Sequence, residues 1–457
     1  MLPRRPGRGN GRARIAGTPH PEAGAEAGPG AASVEEDSGA TARYGRGARV
    51  LSIGIGTTGL VTFAYFAVAS QVLDAPDYGR ITLVWALMFI TASVIYRPIE
   101  QLLSRTIAER RARGLQEGHP MRVPGLIQAG FAVAFALVAL ALREALQDEV
   151  FDGVAALYWI LVAGVLAYAA SYFARGWLAG HLRFGLYGGL VLLEATSRFG
   201  FALAAAVGLT HGQTAVAMGM AAAPFVSLVV VPWAFARRGR APEPGGGESA
   251  PAPRADDLTL ARGTGFAASV FAIQLAEQAL LNVAVLTVTG AAVAGFVFNV
   301  LLIARAPLQL FQSIQTSLLP HLAGLEATAG GEDFRRAIRV TVGAIAAFAG
   351  LVALGLLAVG PFAMDLLFGS EFHYARGGLA LVALGMGLHL VAGTLNQAAL
   401  ARGQAGLAAG GWLLCAALFV GWLTLPAVHD QVLRVEVGYF GATGILSVLL
   451  YGLYRRG

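Results

Sequence analysis

The sequence predicts an all-α polytopic membrane protein with about twelve transmembrane helices in two six-helix lobes. Three observations carry that expectation. Hydrophobic residues fill 56% of the 457 positions and charged residues 13%, against about 25% charged in soluble domains. Apolar stretches of about 20 residues, the length a helix needs to cross a bilayer, recur along most of the chain. Arginines gather in every second connection between those stretches, as the positive-inside rule requires.

Residues 1–46, rich in Pro, Gly, Ala and Arg, cannot bury a core and read as a disordered cytoplasmic tail. No apolar stretch follows those arginines before position 50, so no secretory signal is expected. The expected spans are 48–72, 79–103, 123–143, 154–175, 184–208 and 213–236 in an N-terminal lobe, residues 47–236. Residues 237–261, RRGRAPEPGGGESAPAPRADDLTLA, form a flexible cytoplasmic linker. A C-terminal lobe, residues 262–457, holds spans at 262–287, 292–318, 336–360, 376–400, 405–426 and 434–454.

One set of connections carries Arg43, Arg46 and Arg49, then Arg105, Arg110, Arg111 and Arg113, then Arg175 and Arg183, then Arg237, Arg238 and Arg240. It continues with Arg335, Arg336 and Arg339, then Arg402, and ends with Arg455 and Arg456. That set is expected to face the cytoplasm, both termini included, in the cytoplasmic membrane. The alternate connections are short or acidic, so Asp148, Glu149 and Asp152 read as a solvated loop rather than a catalytic carboxylate pair. The net charge of +6 comes from arginine alone, since no lysine occurs. It does not point to nucleic acid. Cys415, the single cysteine, lies in an apolar run and excludes disulfides and thiolate metal sites.

Charge inside a bilayer is costly and faces a bundle interior or an aqueous cavity. Arg97, Glu100, Gln101 and Arg105 share one face of the second helix, and Gln274, Glu277, Gln278 and Asn282 repeat the spacing on the seventh. Such faces either line a cavity or lock helix to helix. Glu194 and Arg198, four apart on the fifth helix, are expected to form a structural ion pair. Arg305, with Pro307 behind it and Gln309 and Gln312 on its face, suits a phosphate or pyrophosphate. The alternative is a bridge from Arg305 to Glu277.

Several stretches resemble the polysaccharide biosynthesis flippases. They are ARVLSIGIGTTGLVTFAYFAVASQVLDAPDYGRITLV, RGWLAGHLRFGLYGGLVLLEATSRF, RAPLQLFQSIQTSLLPHLAGL and FGSEFHYA. That family is part of the multidrug, oligosaccharidyl-lipid and polysaccharide exporter superfamily. The resemblance implies two lobes in a V around a central cavity, with helices 1, 2, 7 and 8 facing it. It also implies movement of a polyprenyl-pyrophosphate-linked oligosaccharide between leaflets, with membrane lipids, a glycan polymerase and glycosyltransferases as pathway partners. Arg97 and Arg105 would then stand at the cytoplasmic mouth.

Two departures narrow the choice. The multidrug branch commonly carries an acidic residue in helix 1, and none lies between Arg49 and Asp74 here. The lipid II branch carries two further C-terminal helices, so the expected cargo is an envelope or exopolysaccharide precursor. A multidrug/ion antiporter remains the alternative reading, with a membrane-embedded glycan ligase behind it. No phosphate loop, HExxH zinc motif or Gly-x-Ser-x-Gly elbow occurs, so no catalytic residue, metal or cofactor is expected.

Overall fold

The structure, a computed structural model, describes residues 53–112, 121–232, 260–303, 307–308, 331–370 and 374–456. The tail and nearly all of the linker fall outside that set. Every regular element among the described residues is helical. In chain order these are α1 (Ile53–Val72), α2 (Ala75–Ile95), α3 (Arg97–Ala112), α4 (Arg122–Ala141), α5 (Ala155–Gly180), α6 (Phe184–Ala206) and α7 (Gly212–Ser227). After the linker follow α8 (Leu260–Thr287), α9 (Ala291–Ile303), α10 (Gly331–Phe368), α11 (Arg376–Ala401), α12 (Ala405–Thr424) and α13 (Gln431–Arg456).

Eleven helices are long and apolar enough to cross a membrane, counting Ala75–Ser104 as one span; α9 is a shorter apolar helix. The chain is therefore a multi-pass membrane protein. The eighth expected span, 292–318, is described only as far as α9 and Pro307–Leu308, so its remainder lies outside the described residues.

Local chemistry explains where these helices start and bend. The Asp74 side chain accepts from the Asp77 N–H at 2.8 Å and Pro76 sits in the first turn, so α2 begins four residues before the expected 79. The second span then breaks at Tyr96. Pro98 has no N–H to give the Val94 carbonyl, one turn back. The ladder resumes at once, because Tyr96 N–H bonds Ala92 O and Glu100 N–H bonds Tyr96 O, both at 2.9 Å.

The tenth helix overruns its expected end in a similar way. Gly360 and Pro361 signal a stop, yet the helix continues to Phe368. Pro361 deprives the Leu357 carbonyl of its donor, and Arg376 supplies one instead, at 3.3 Å to Leu357 O and 3.2 Å to Ala358 O. Gly369, at φ +87°, closes the helix.

Packing joins α2 to α7 with one another, and α8 with α10 to α13, while α2 lies against α8 across the two sets. The acidic loop after α4 holds a single π-helical turn, Ala145–Val150. Its Asp152 pairs with Arg80 at 2.9 Å, and Arg80 also holds Asp77 at 2.7 Å, which ties this loop to the start of α2.

Candidate functional site

A cavity of 210 Å³ opens among α1, α2, α3, α5, α6, α8 and the residues around α9. Its polar centre consists of Arg97 and Glu100 from α3, Arg175 from α5, and Glu194 and Arg198 from α6. Among the described lining residues three arginines face two carboxylates, a formal excess of one positive charge. Phe63, Phe66, Trp85, Phe89 and Tyr172 supply an aromatic wall.

Two glycines bring α5 against α3. A Cβ on Gly176 would stand 2.7 Å from the Glu100 carbonyl, and one on Gly180 would stand 2.7 Å from Ile107 Cβ. This Gly-x-x-x-Gly contact lets two backbones touch, as small residues do between membrane helices. It brings Arg175 to the level of the cavity.

Glu194 is 2% exposed and surrounded by donors. Arg175 pairs with one carboxylate oxygen. Ser171, one turn before Arg175 on α5, donates to the other, and Ser227 at the end of α7 does so at 3.3 Å. This corrects the expected Glu194–Arg198 pair. Spacing on one helix allows that bridge, but α5 packs an arginine and a serine directly against the carboxylate and saturates it. Arg198 instead donates to Tyr168 Oη at 2.6 Å and lies 5.1 Å over the Trp85 ring. Arg175 lies 4.5 Å over Tyr172. Both guanidiniums are thus held on aromatic faces, an arrangement that offsets part of their desolvation.

The expected polar faces divide. Arg97 and Glu100 line the cavity, with Tyr187 Oη donating to Glu100 at 2.7 Å, whereas Gln101 is exposed. The side chain of Arg105 lies outside the described residues. On α8, Gln278 and Asn282 are buried, line the cavity and bond each other at 3.0 Å. Gln274 and Glu277 bond each other at 3.4 Å and do not line it. Arg305, Gln309 and Gln312 lie outside the described residues. Sequence reading missed Arg175 and Ser171 as site residues. The signal was present, since Ser171, Arg175 and the Gly176/Gly180 pair form consecutive turns of one polar and small-residue stripe.

A seam closes the two helix sets at the end away from the arginine-rich segments. Gly79 on α2 meets Ala291 at the start of α9 so closely that a Cβ there would overlap the Ala291 carbonyl. A Cβ on Gly295 would stand 2.9 Å from Tyr78. Tyr78 donates to Asn299, and Asn299 donates to Tyr374 Oη at 3.0 Å. Gln71 on α1 donates to Leu366 O on α10 at 3.2 Å, and Phe63 meets Phe368 edge-on at 5.6 Å. Along α2 the cavity residues begin at Trp85, on the arginine-rich side of this seam.

No family model and no curated protein matches the chain. Solved structures do. The chain is similar to a multidrug resistance MATE family transporter of the MOP superfamily in its inward-facing conformation, with a TM-score of 0.68 and 14% identity over 89% of this chain and 97% of that one. It is similar to an outward-facing MATE family transporter of the same superfamily at a TM-score of 0.59 and 14% identity, over 90% of this chain and 95% of that one. A mutant of the Vibrio cholerae MATE transporter VcmN follows at 0.56 and 16%, over 91% and 98%. The protein is therefore a polytopic all-α membrane protein with the fold of the MATE transporters. At such identities the likeness reaches the fold and stops short of the cargo.

Proposed function

We propose that the chain is a membrane transporter that works by alternating access. One observation carries this reading: a charged, aromatic cavity inside the membrane-spanning bundle, closed at one end by a seam between two helix sets. A carrier needs such a site, because a polar solute placed there exchanges water for fixed protein groups instead of hydrocarbon. Separating the seam while the opposite end closes would present the same site to the other side. The higher TM-score to an inward-facing than to an outward-facing transporter agrees with the seam being the outer gate.

For the cargo, the similar structures favour the multidrug alternative over the oligosaccharide flippase expected from sequence motifs. Glu100 in a cavity walled by Tyr and Trp rings suits an amphipathic organic cation. The lipid-linked oligosaccharide is the second reading, and the excess of arginine over carboxylate in the cavity favours it, because guanidinium binds pyrophosphate through paired hydrogen bonds. On that reading a glycan polymerase and glycosyltransferases are the pathway partners. The two readings separate in proteoliposomes driven by a proton or sodium gradient. Ethidium accumulation that Glu100→Gln abolishes supports cation export. Protection of a fluorescent polyprenyl-pyrophosphate oligosaccharide from external glycosidase supports flipping. Movement of neither solute under either gradient would remove the transporter reading.

The proposed orientation is cytoplasmic for both termini, in the cytoplasmic membrane. Alkaline phosphatase, which is active only after export, should be inactive when fused after Arg456 and active when inserted in the acidic loop beside Asp152. The opposite pattern would reverse the topology and turn the seam into the inner gate.

A further inference from the structure

Three arginine groups far apart in sequence meet in one cleft. Arg335 and Arg339 come from the first turns of the α10 span, Arg402 from the end of α11, and Arg455 and Arg456 from the end of α13. We propose that this cleft binds an anionic phospholipid of the surrounding bilayer, its phosphate held by the arginines and an acyl chain lying along the apolar wall.

The cleft has a volume of 1020 Å³, and among the described residues no carboxylate lines it. Among the described residues, no carboxylate lies within ion-pair distance of Arg335, Arg339, Arg455 or Arg456. These four like charges, gathered with no ion-pair partner among the described residues, repel one another, so a bound anion would relieve the arrangement. Arg335 and Arg339 are one turn apart and share a face. Arg402 is held in place, donating to the Tyr454 carbonyl at 2.9 Å and lying 5.1 Å over the Tyr454 ring.

The rest of the wall decides what kind of anion fits. Ile338, Val342, Val391 and Leu395 continue the cleft toward the middle of the spans. Free phosphate has no use for such a surface, while a lipid has both a charged head and a chain to cover it. Basic clefts between membrane helices at the headgroup level are a recurrent setting for multiply charged lipid heads. Among the described residues the cleft shares none with the central cavity. Its components come from α10, α11 and α13, of which α11 packs on both of the others, so a lipid here would clamp that set from its arginine-rich end.

The test uses the full chain purified in a mild non-ionic detergent. Native mass spectrometry after addition of tetraoleoyl cardiolipin, dioleoylphosphatidylglycerol or dioleoylphosphatidylcholine should show the first two retained and the third lost. The double variant Arg335→Gln/Arg339→Gln should lower cardiolipin retention by on the order of tenfold, and the corresponding lysine pair should keep most of it. Millimolar inorganic phosphate should leave the lipid bound. Should the glutamine pair fold poorly, Arg455→Gln/Arg456→Gln removes charge from an exposed helix end, and its loss of the melting-temperature rise caused by cardiolipin reads the same site. Equal retention of phosphatidylcholine, full displacement by phosphate, or unchanged cardiolipin binding in both double variants would overturn the proposal.

Discussion

Replacing Arg175 with methionine should lower the stability of the protein by about 3–5 kcal/mol, the usual consequence of leaving one member of a buried ion pair alone. Among the described residues Glu194 would keep the hydroxyls of Ser171 and Ser227, and neither carries the charge that a buried carboxylate needs. The double variant Arg175→Met/Glu194→Gln should recover most of the loss, because it removes both charges and leaves an amide that the two serines can still bond. Thermal unfolding in detergent measures each variant. Arg198→Met should cost less, since Arg198 is committed to a hydroxyl and an aromatic face rather than to Glu194. Reversing Glu194 and Arg198 together should therefore fail to rescue the single reversals. An Arg175→Met protein as stable as the parent, or a successful Glu194/Arg198 reversal, would overturn the pairing described here.

The second large effect is expected at the seam. Gly79→Leu puts a branched side chain where even a Cβ overlaps the Ala291 carbonyl. Overpacking of this kind costs about 1–3 kcal/mol when the neighbours can shift. Here the neighbour is backbone, so the least costly response is to part α2 from α9. The equilibrium between closed and open seam should move toward open, and a carrier held open at one end cannot complete its cycle. Transport should fall to background while the protein stays abundant. Asn299→Cys offers a direct readout, because Asn299 is fully buried in the seam and the native Cys415 is buried as well. A membrane-impermeant maleimide should label that cysteine slowly in the parent and quickly beside Gly79→Leu. Slow labelling in both, with transport intact, would show that the seam does not gate.

Much of the fold was legible because a bilayer constrains sequence severely: apolar length fixes a span. The misreadings came from chemistry between segments. The expected span ends at 360, eight residues short of Phe368, because the donor that rescues the Leu357 carbonyl beside Pro361 sits on Arg376, in another helix. Glu194 and Arg198 looked paired because a single helix shows only its own neighbours. The true partner was decided by which helix packs against α6, and one sequence reports that only indirectly, through the Gly176/Gly180 stripe. The polar faces on α3 and α8 divided for the same reason. Periodicity gives the angle of a residue around its own axis, and the partner helices determine how wide an arc of that face meets the cavity.

The interruption at Tyr96 gives the second span an unusual mechanical property. Its first part belongs to the seam through Tyr78 and Gly79, and its second is fastened to α5 where Gly176 meets Glu100. Pro98 removes one bond of the ladder between them, at the place where helices bend most readily. The span is thus a lever with its fulcrum built in: α2 can swing away from α9 while α3, and the charges anchored on it, keep their seat.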